Sequence, residues 1–530
     1  MNYQIKDTSQ AKTIHQNYNL PYFVAKVLAS YSQEQILDIL TYQDKEIIFD
    51  KMTNAVELVN NHVNKNNKIV IMGDYDCDGI LATSIMVKGF AKLNYEVGYY
   101  IPHRIKDGYG LTINLVKQFI AKDYKLIITV DNGINAQEAI QYAIEHNVDV
   151  LVTDHHQVDL NKQSNVICLH PQYSNLDYEV SGGYVAYQFI KNLISYEDDY
   201  LHALAAITLI SDVMPLVKGN RSFIRKALQN IQDFNYLQIN VLANGFVDSS
   251  MIGSVIAPKI NSLGRLPDIY NPNTLVKFFC SNKKIAILNY AKEIEECNNV
   301  RKQMTNDYYQ ELDNYTIKHN FLMIENDSYH EGLLGLLASR FSNQEKCVSF
   351  IATSNKDEYK ASIRSIPEIN IYNILSQYEY LFTKLGGHSQ AMGVSYKKEN
   401  AKEIKKVIEN ELKDLEIPEK SYDVIKLDEV DLELDNIIAL RYLEPFGNGF
   451  QAPLFLIDNA IVATMKGLKN NQHYRLNILF ETKSYEVMLF NVNSCDIKVN
   501  DHLDLIVKLG LNNYNGQTKL NIIVEDYLIR

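Results

Sequence analysis

The sequence predicts an α/β protein in four parts: a parallel-sheet domain, a long connecting helix, a smaller α/β domain and a C-terminal all-β barrel. Three observations carry this expectation. Short apolar strands alternate with amphipathic helices from Lys68 to Val152, the mark of a parallel sheet covered on both faces. Lys283 to about Lys318 reads as one polar helix, too long for the surface of a compact core. Towards the C-terminus, short strands follow one another at regular spacing.

The 530 residues exceed what one core supports. We expect a lead-in over 1–66, a first α/β domain over 67–220 and a helical connector over 221–318. A second α/β unit over 319–420 and a β domain over 421–530 complete the chain. A net charge of -12 argues against indiscriminate coating of nucleic acid, but binding follows local charge and leaves room for a basic channel. Six cysteines without a CxxC pair read as reduced thiols of a cytosolic protein. Met1 to Asp7 lacks the apolar core of a signal peptide, and the apolar stretch Leu201 to Val217 carries His202 and Asp212, too polar for a membrane span. A cytoplasmic enzyme with no membrane contact is the expectation.

In chain order, the lead-in carries helical stretches at Tyr22 to Leu28 and Gln33 to Leu40, expected to pack on the first α/β domain. The β-branched run Lys68 to Ile71 is a buried strand, and Ile80 to Leu93 has the apolar stripe of a helix. Between them lies Met72-Gly73-Asp74-Tyr75-Asp76-Cys77-Asp78-Gly79. In an extended segment, side chains two apart share a side, which gathers Asp74, Asp76 and Asp78. Like charges so placed call for a cation, and oxygen-only clusters suit magnesium or manganese. The plain alternative is an acidic turn with one Asp as N-cap.

The following strands decide between the two. Glu96 to Ile101, Lys125 to Val130 and Val148 to Val152 are strands, separated by helices at Leu115 to Ala121 and Ala136 to His146. They run out into Pro102-His103-Arg104, Asp131-Asn132-Gly133 and Asp154-His155-His156. One such ending is noise, whereas four in register make a site, because parallel sheets bind ligands beyond their carboxyl ends. Adjacent imidazoles diverge, so His155 and His156 can serve two metals while Asp154 orients one of them. Asp212 lies in a run so apolar that it needs a partner. Arg104, next to a glycine-rich turn, suits a phosphate clamp.

The second α/β unit reads as a strand at Phe321 to Ile324, a helix at Gly332 to Phe341 and a strand at Val348 to Ala352. Its dense spots are His330 to Gly335, Ala361 to Ser365 and Leu385 to Gly393, whose glycines, Arg, Ser and His suit a phosphate-backbone grip. The expected C-terminal strands are Ala460 to Met465, Tyr474 to Phe480, Tyr485 to Phe490, Leu503 to Leu509 and Thr518 to Val524. The oligonucleotide-binding barrel is one fold of this type. Tyr474, Arg475, Tyr485, Phe490, Lys508, Tyr514 and Lys519 would supply its aromatic and basic surface.

The order Gly73 to Gly79, Asp131-Asn132-Gly133, Asp154-His155-His156 and Asp212 resembles the DHH phosphoesterase superfamily. Pro102-His103-Arg104 with Gly108-Tyr109-Gly110, Ile260 to Leu266, and Leu443-Glu444-Pro445-Phe446-Gly447 resemble its branch of single-strand-specific DNA exonucleases. Gly386-Gly387-His388 resembles the signature of the DHHA1 domain. The resemblance implies a DHH catalytic domain, a DHHA1-like domain and an OB-like nucleic-acid-binding domain. It implies two-metal hydrolysis of single-stranded DNA from its 5′ end to mononucleotides, in repair and recombination. Asp76, Asp78, Asp131, His155, His156 and Asp212 would hold two Mn²⁺ or Mg²⁺ ions, with Asp154, His155 and His156 as the catalytic motif. Met72 stands where several superfamily members have a histidine, leaving Asp74 to compensate. Arg104, Tyr109, Arg265, Ser362, Arg364, Gly386, Gly387 and His388 would engage DNA. Expected partners are single-stranded DNA with a 5′ end, a single-strand-binding protein and a RecQ-type helicase, with the enzyme a monomer. The competing readings are a DHH phosphodiesterase for short oligonucleotides or cyclic dinucleotides, a non-catalytic DNA-binding scaffold, and, fitting poorly, an inorganic pyrophosphatase.

Overall fold

The structure is a computed structural model that describes residues 1–530 except 42–46, 159–165, 244, 312–314, 418–419, 470–471, 491, 493–494 and 515–516. The chain opens with a strand, β1 (Asn2–Ile5), and three short helices, α1 (Ala11–Tyr18), α2 (Tyr22–Leu28) and α3 (Gln33–Thr41). These were expected on the first α/β domain. Instead, Ile14, Phe23, Val24, Leu28 and Ile39 join the core of the C-terminal β domain, where Phe23 stacks on Phe455 at 5.5 Å. An apolar face records that a helix must be covered, not which domain covers it. α4 (Met52–Asn64) then packs on the first sheet.

That sheet comprises β2 (Ile69–Met72), β3 (Gly98–Tyr100), β4 (Leu126–Val130), β5 (Asp149–Thr153) and β6 (Ile167–Leu169), all parallel in the order β3-β2-β4-β5-β6. The central strands are buried throughout, as sheets covered on both faces require. α5 (Cys77–Lys92), α6 (Ile113–Ala121) and α7 (Gln137–Glu145) make the crossovers. α8 (Gly182–Ile194) and α9 (Asp199–Ser211) pack on α5, and α10 (Lys218–Phe234) packs on α9.

Short helices α11 (Leu237–Leu242) and α12 (Ser249–Met251) lead through a π-helical turn into α13 (Ala257–Arg265) and α14 (Asn273–Cys280). The expected long helix is α15 (Lys284–Glu311), 28 residues, which lies along α11, α13 and α14 and reaches the next domain at α16 (Leu334–Glu345). There the strands β7 (Phe321–Glu325), β8 (Val348–Asn355), β9 (Glu358–Arg364), β10 (Lys384–His388) and β11 (Ala391–Lys397) form a mixed sheet, order β10-β11-β9-β8-β7. α17 (Ile371–Leu375) and α18 (Ala401–Leu412) cover it.

In the C-terminal domain, β12 (Ser421–Lys426) and α19 (Leu434–Ala439) precede the barrel strands β13 (Leu454–Leu468), β14 (His473–Phe480), β15 (Lys483–Phe490), β16 (His502–Tyr514) and β17 (Gln517–Ile529). Pairing of β13 with β16 closes the five strands into a barrel, removing their free edges. β1 and β12 extend it in parallel. Tyr474 and Tyr485 pack against the barrel core, while Arg475 is exposed and Phe490 is 42% exposed; the side chain of Tyr514 lies outside the described residues. All six cysteines are free, and among the described residues no helix is long and apolar enough to cross a membrane.

Candidate active site

The carboxyl ends of β2, β4 and β5 lie side by side, and the loops leaving them meet. Asp76 caps α5, accepting from the Gly79 amide at 3.0 Å, so the helix starts at Cys77 and Asp78 falls in its first turn. The three carboxylates expected together therefore divide: Asp74 and Asp76 meet Asp131, whereas Asp78 turns towards His155 and Asp212. Asp131 holds a left-handed φ of 60°, uncommon for a non-glycine residue and frequent at active sites. Asn132 donates to the carbonyls of Met72 and Val130, tying the ends of β2 and β4 together.

Two glycines admit this close approach. A Cβ on Gly182 would lie 2.6 Å from that of Asp131. The amides of Gly182 and Gly183, at the start of α8, each donate to one Asp78 oxygen at 2.7 Å. Helix N-termini favour negative charge, which fixes this carboxylate's orientation.

Three groups of side chains have ligand atoms within 4.8 Å of one another: Asp131–His155–His156, Asp78–His155–Asp212 and Asp74–Asp76–Asp131. Asp131 and His155 each belong to two. His155 Nε2 lies 3.1 Å from Asp131 Oδ1, 3.5 Å from Asp212 Oδ2 and 3.6 Å from Asp78 Oδ2. His156 Nδ1 lies 2.8 Å from Asp154 Oδ1, and its Nε2 lies 3.0 Å from the Tyr109 hydroxyl. Asp154 also accepts from the amides of Ile134, His155 and His156. It thus holds the imidazole rather than joining a group.

Charge here is strongly perturbed. Burial, then repulsion from neighbouring Asp side chains, holds Asp74 and Asp131 well above the ordinary carboxylate range. Burial raises Asp78 as well, and burial with Asp78 and Asp76 pushes Asp212 up to about 8. Burial keeps His155 low, and therefore neutral. His156 rises to about 9 because its bond to Asp154 outweighs burial, and the same bond with the backbone amides lowers Asp154 against burial. Buried Asp74 Oδ1 and Asp131 Oδ1 find no hydrogen-bond partner among the described residues. Unsatisfied buried oxygens and a neutral imidazole fit hard divalent cations, which would satisfy both.

Beside this centre lies a cationic strip. Burial, then repulsion from Arg104, Arg301 and Arg364, pushes Arg265 down to about 9, still charged at neutral pH. Arg104 stacks over the Tyr75 ring at 4.9 Å. Arg364 is braced by Ser339 Oγ and Ser362 Oγ at 3.1 and 3.0 Å. Ser362 pairs with Gly393 and Gly393 with Gly386, so one sheet face carries Ser362, two glycines and Arg364. A Cβ on Gly386 or Gly393 would meet nothing within 4 Å, leaving that face open. Gly387 and His388 are exposed on β10 at the sheet edge.

The comparisons with known proteins follow this layout. The DHH family, N-terminal domain, is matched at residues 68–211, the DHHA1 domain at 315–414 and the RecJ OB domain at 424–526. The chain thus carries a DHH domain, a DHHA1 domain and an OB domain of the RecJ type. It is 27% identical over 500 residues to the single-stranded-DNA-specific exonuclease RecJ of Bacillus subtilis (strain 168), matching 90% of this chain and 63% of that protein's length. The RecJ of Haemophilus influenzae is 26% identical, with 89% of each chain covered. In fold, the chain matches the crystal structure of RecJ in complex with Mn²⁺ from Thermus thermophilus at a TM-score of 0.84. That match has 22% identity and covers 100% of this chain and 78% of the other.

Several residues of the site carry no signal in the sequence that points to their role. Gly182-Gly183 after the helix-capping Ser181 is a readable helix start, but nothing local links it to Asp78. Asn261, within Ile260 to Leu266, accepts from the Cys77 amide at 2.7 Å, a contact that only the fold creates. Arg301 is one basic residue among many on a polar helix, and only the fold brings it to Arg265.

Proposed function

We propose that this chain is a 5′-to-3′ exonuclease that hydrolyses single-stranded DNA to mononucleotides, serving repair and recombination. The observation that carries the reading is the pair Asp131 and His155, each shared between ligand groups, beside buried Asp74 and Asp131 oxygens that lack a hydrogen-bond partner among the described residues. Two divalent ions, Mn²⁺ or Mg²⁺, would lower the pKa of a water and neutralise charge building on the scissile phosphate when bound. Asp78, His155 and Asp212 would hold one side of that centre and Asp74, Asp76 and Asp131 the other, with His156 beside Asp131 and His155 where the two meet. Asp154 keeps His156 in one tautomer and orientation. Arg104, Arg265 and Arg364, with Ser362, would bind the terminal phosphate and so count nucleotides from the 5′ end. The open glycine face passes one backbone at close range. The relatives' names, single-stranded-DNA-specific exonuclease, support the substrate. We extend the proposal to a cytoplasmic monomer acting beside a single-strand-binding protein and a RecQ-type helicase.

The test is a 5′-phosphorylated single strand labelled at each end in turn, incubated with Mn²⁺ or with chelator. Mononucleotides released first from the 5′ end, only with metal, are the expected result. Binding without cleavage would sink the reading in favour of a scaffold. Cleavage confined to very short oligonucleotides would replace it with a small-substrate phosphodiesterase.

A further inference from the structure

Asp212 ends α9, and the chain then leaves by a helix-terminating turn in which the Val213 amide donates to Ile210 and the Met214 amide to Leu209. The residue after the cap in such a turn must be left-handed, which is why glycine is usual there. Here it is Val213, at φ 56°. A β-branched residue in that region is strained, and its side chain, 64% exposed, has little packing to offset the strain. Something outside the helix must hold it.

That support comes from the segment between α19 and the barrel, some 230 residues further along the chain. Asn448 Nδ2 donates to the Val213 carbonyl at 2.8 Å, and the Leu216 amide donates back to the Asn448 carbonyl at 2.7 Å. The contact is close-fitting: a Cβ on Gly447 would lie 2.6 Å from Leu216 Cδ1. Arg221 of α10 donates to the carbonyls of Leu443 and Pro445 and lies over the Phe450 ring at 4.4 Å. Together with Arg225 it also reaches the Ile39 carbonyl at the end of the N-terminal helices.

We infer that Asn448 is a positioning residue for Asp212, so that seating of the 443–449 segment sets the metal affinity of the Asp78–His155–Asp212 group. The turn is strained when alone and ordered when clamped, and the carboxylate it carries is one residue away. Docking of the β domain is thereby coupled to the metal centre. This rests on the reading of Asp212 as a metal ligand.

The test is Mn²⁺ titration of the full chain, followed by calorimetry and by the paramagnetic resonance signal of free Mn²⁺. Asn448→Ala should weaken one of two sites by roughly tenfold, the usual reach of a residue that orients a ligand. It should also lower kcat at subsaturating Mn²⁺ while leaving KM for single-stranded DNA within about twofold. Adding Val213→Gly should restore the Mn²⁺ affinity, because glycine takes the left-handed turn without outside help. A residue needed only for folding would not be rescued this way. If Asn448→Ala does not fold, Asn448→Asp keeps the size but faces an oxygen with an oxygen, and should weaken the same site. An unchanged isotherm, or a loss that Val213→Gly fails to recover, overturns the inference. Asp212→Ala separates this failure from failure of the underlying reading: if it leaves Mn²⁺ binding intact, Asp212 is no ligand and the inference falls with it.

Discussion

Asp131 is the residue on which the most converges, since it belongs to two ligand groups, takes a left-handed φ and has an oxygen without a hydrogen-bond partner among the described residues. We expect Asp131→Ala to abolish metal-dependent cleavage in the end-label assay while leaving the melting temperature unchanged or raised, because a buried repulsive charge is removed. Asp154→Asn keeps the shape but weakens the hold on His156, and should cost about 10–100-fold in Mn²⁺ affinity or activity. The raised carboxylates also fix a pH dependence. Between the unfolded carboxylate range near 4 and Asp212 near 8, the metal-free folded protein binds more protons than the unfolded chain. Stability contributed by this cluster is therefore present at low pH and lost as pH rises towards 8. Mn²⁺ should reverse that trend and release protons on binding at pH 7, readable by calorimetry in buffers of different ionisation enthalpy. Asp131 and the two histidines were legible in the sequence because each follows a strand directly. Asn448 was not, because its partner Val213 looks like an ordinary apolar residue until its φ is known.

At the scale of elements, β1, α1, α4 and β6 were not legible, and the helices and strands that were differ mainly at their ends, since apolar periodicity marks the middle of an element and capping marks its limits. The start of α5 shows what such an error costs. Three residues placed Asp78 in a helix instead of an extended run, and that moved it from one metal group to another. α13 packs its end on this same loop: a Cβ on Gly264 would lie 2.0 Å from the Tyr75 carbonyl oxygen. Gly264→Ala must displace backbone at the metal loop and should lower stability by about 1–3 kcal/mol, measured by denaturant unfolding. Gly393 makes the opposite case, because its missing side chain faces open space. Gly393→Leu should leave unfolding unchanged and weaken single-stranded DNA binding by roughly tenfold, about 1.4 kcal/mol. Equal affinity would remove the open sheet face from the DNA path.

For the whole molecule, the division of charge is what matters. A chain of net charge -12 gathers Arg104, Arg265, Arg301 and Arg364 where the first domain, the helical connector and the second α/β domain meet, beside its acidic centre. Every phosphate that a cationic side chain neutralises adds about 0.7 to the log–log salt slope of single-strand binding, so Arg104→Ala should reduce that slope by about that amount. Which domain lies beside which was the least legible level. α2 and α3 were legible as helices and α1 was not, yet the apolar faces of all three cover the C-terminal barrel. Phe23→Ala, which removes a buried ring stacked on Phe455, should cost about 3–5 kcal/mol and unfold the β domain before the sheet of β2 to β6.

That pairing of the first helices with the last domain sets an order of events during synthesis. About 380 residues separate Thr41 from Ser421, where the β domain begins. At ribosomal speeds of roughly 5–20 residues per second, the nascent helices wait about 20–80 s for the surface that covers them. Throughout that wait, Phe23, Val24 and Leu28 have α1 beside them but lack the barrel core that buries them. The newborn chain thus presents a sticky leader to any holdase near the exit tunnel, and the growing catalytic domain must fold past it.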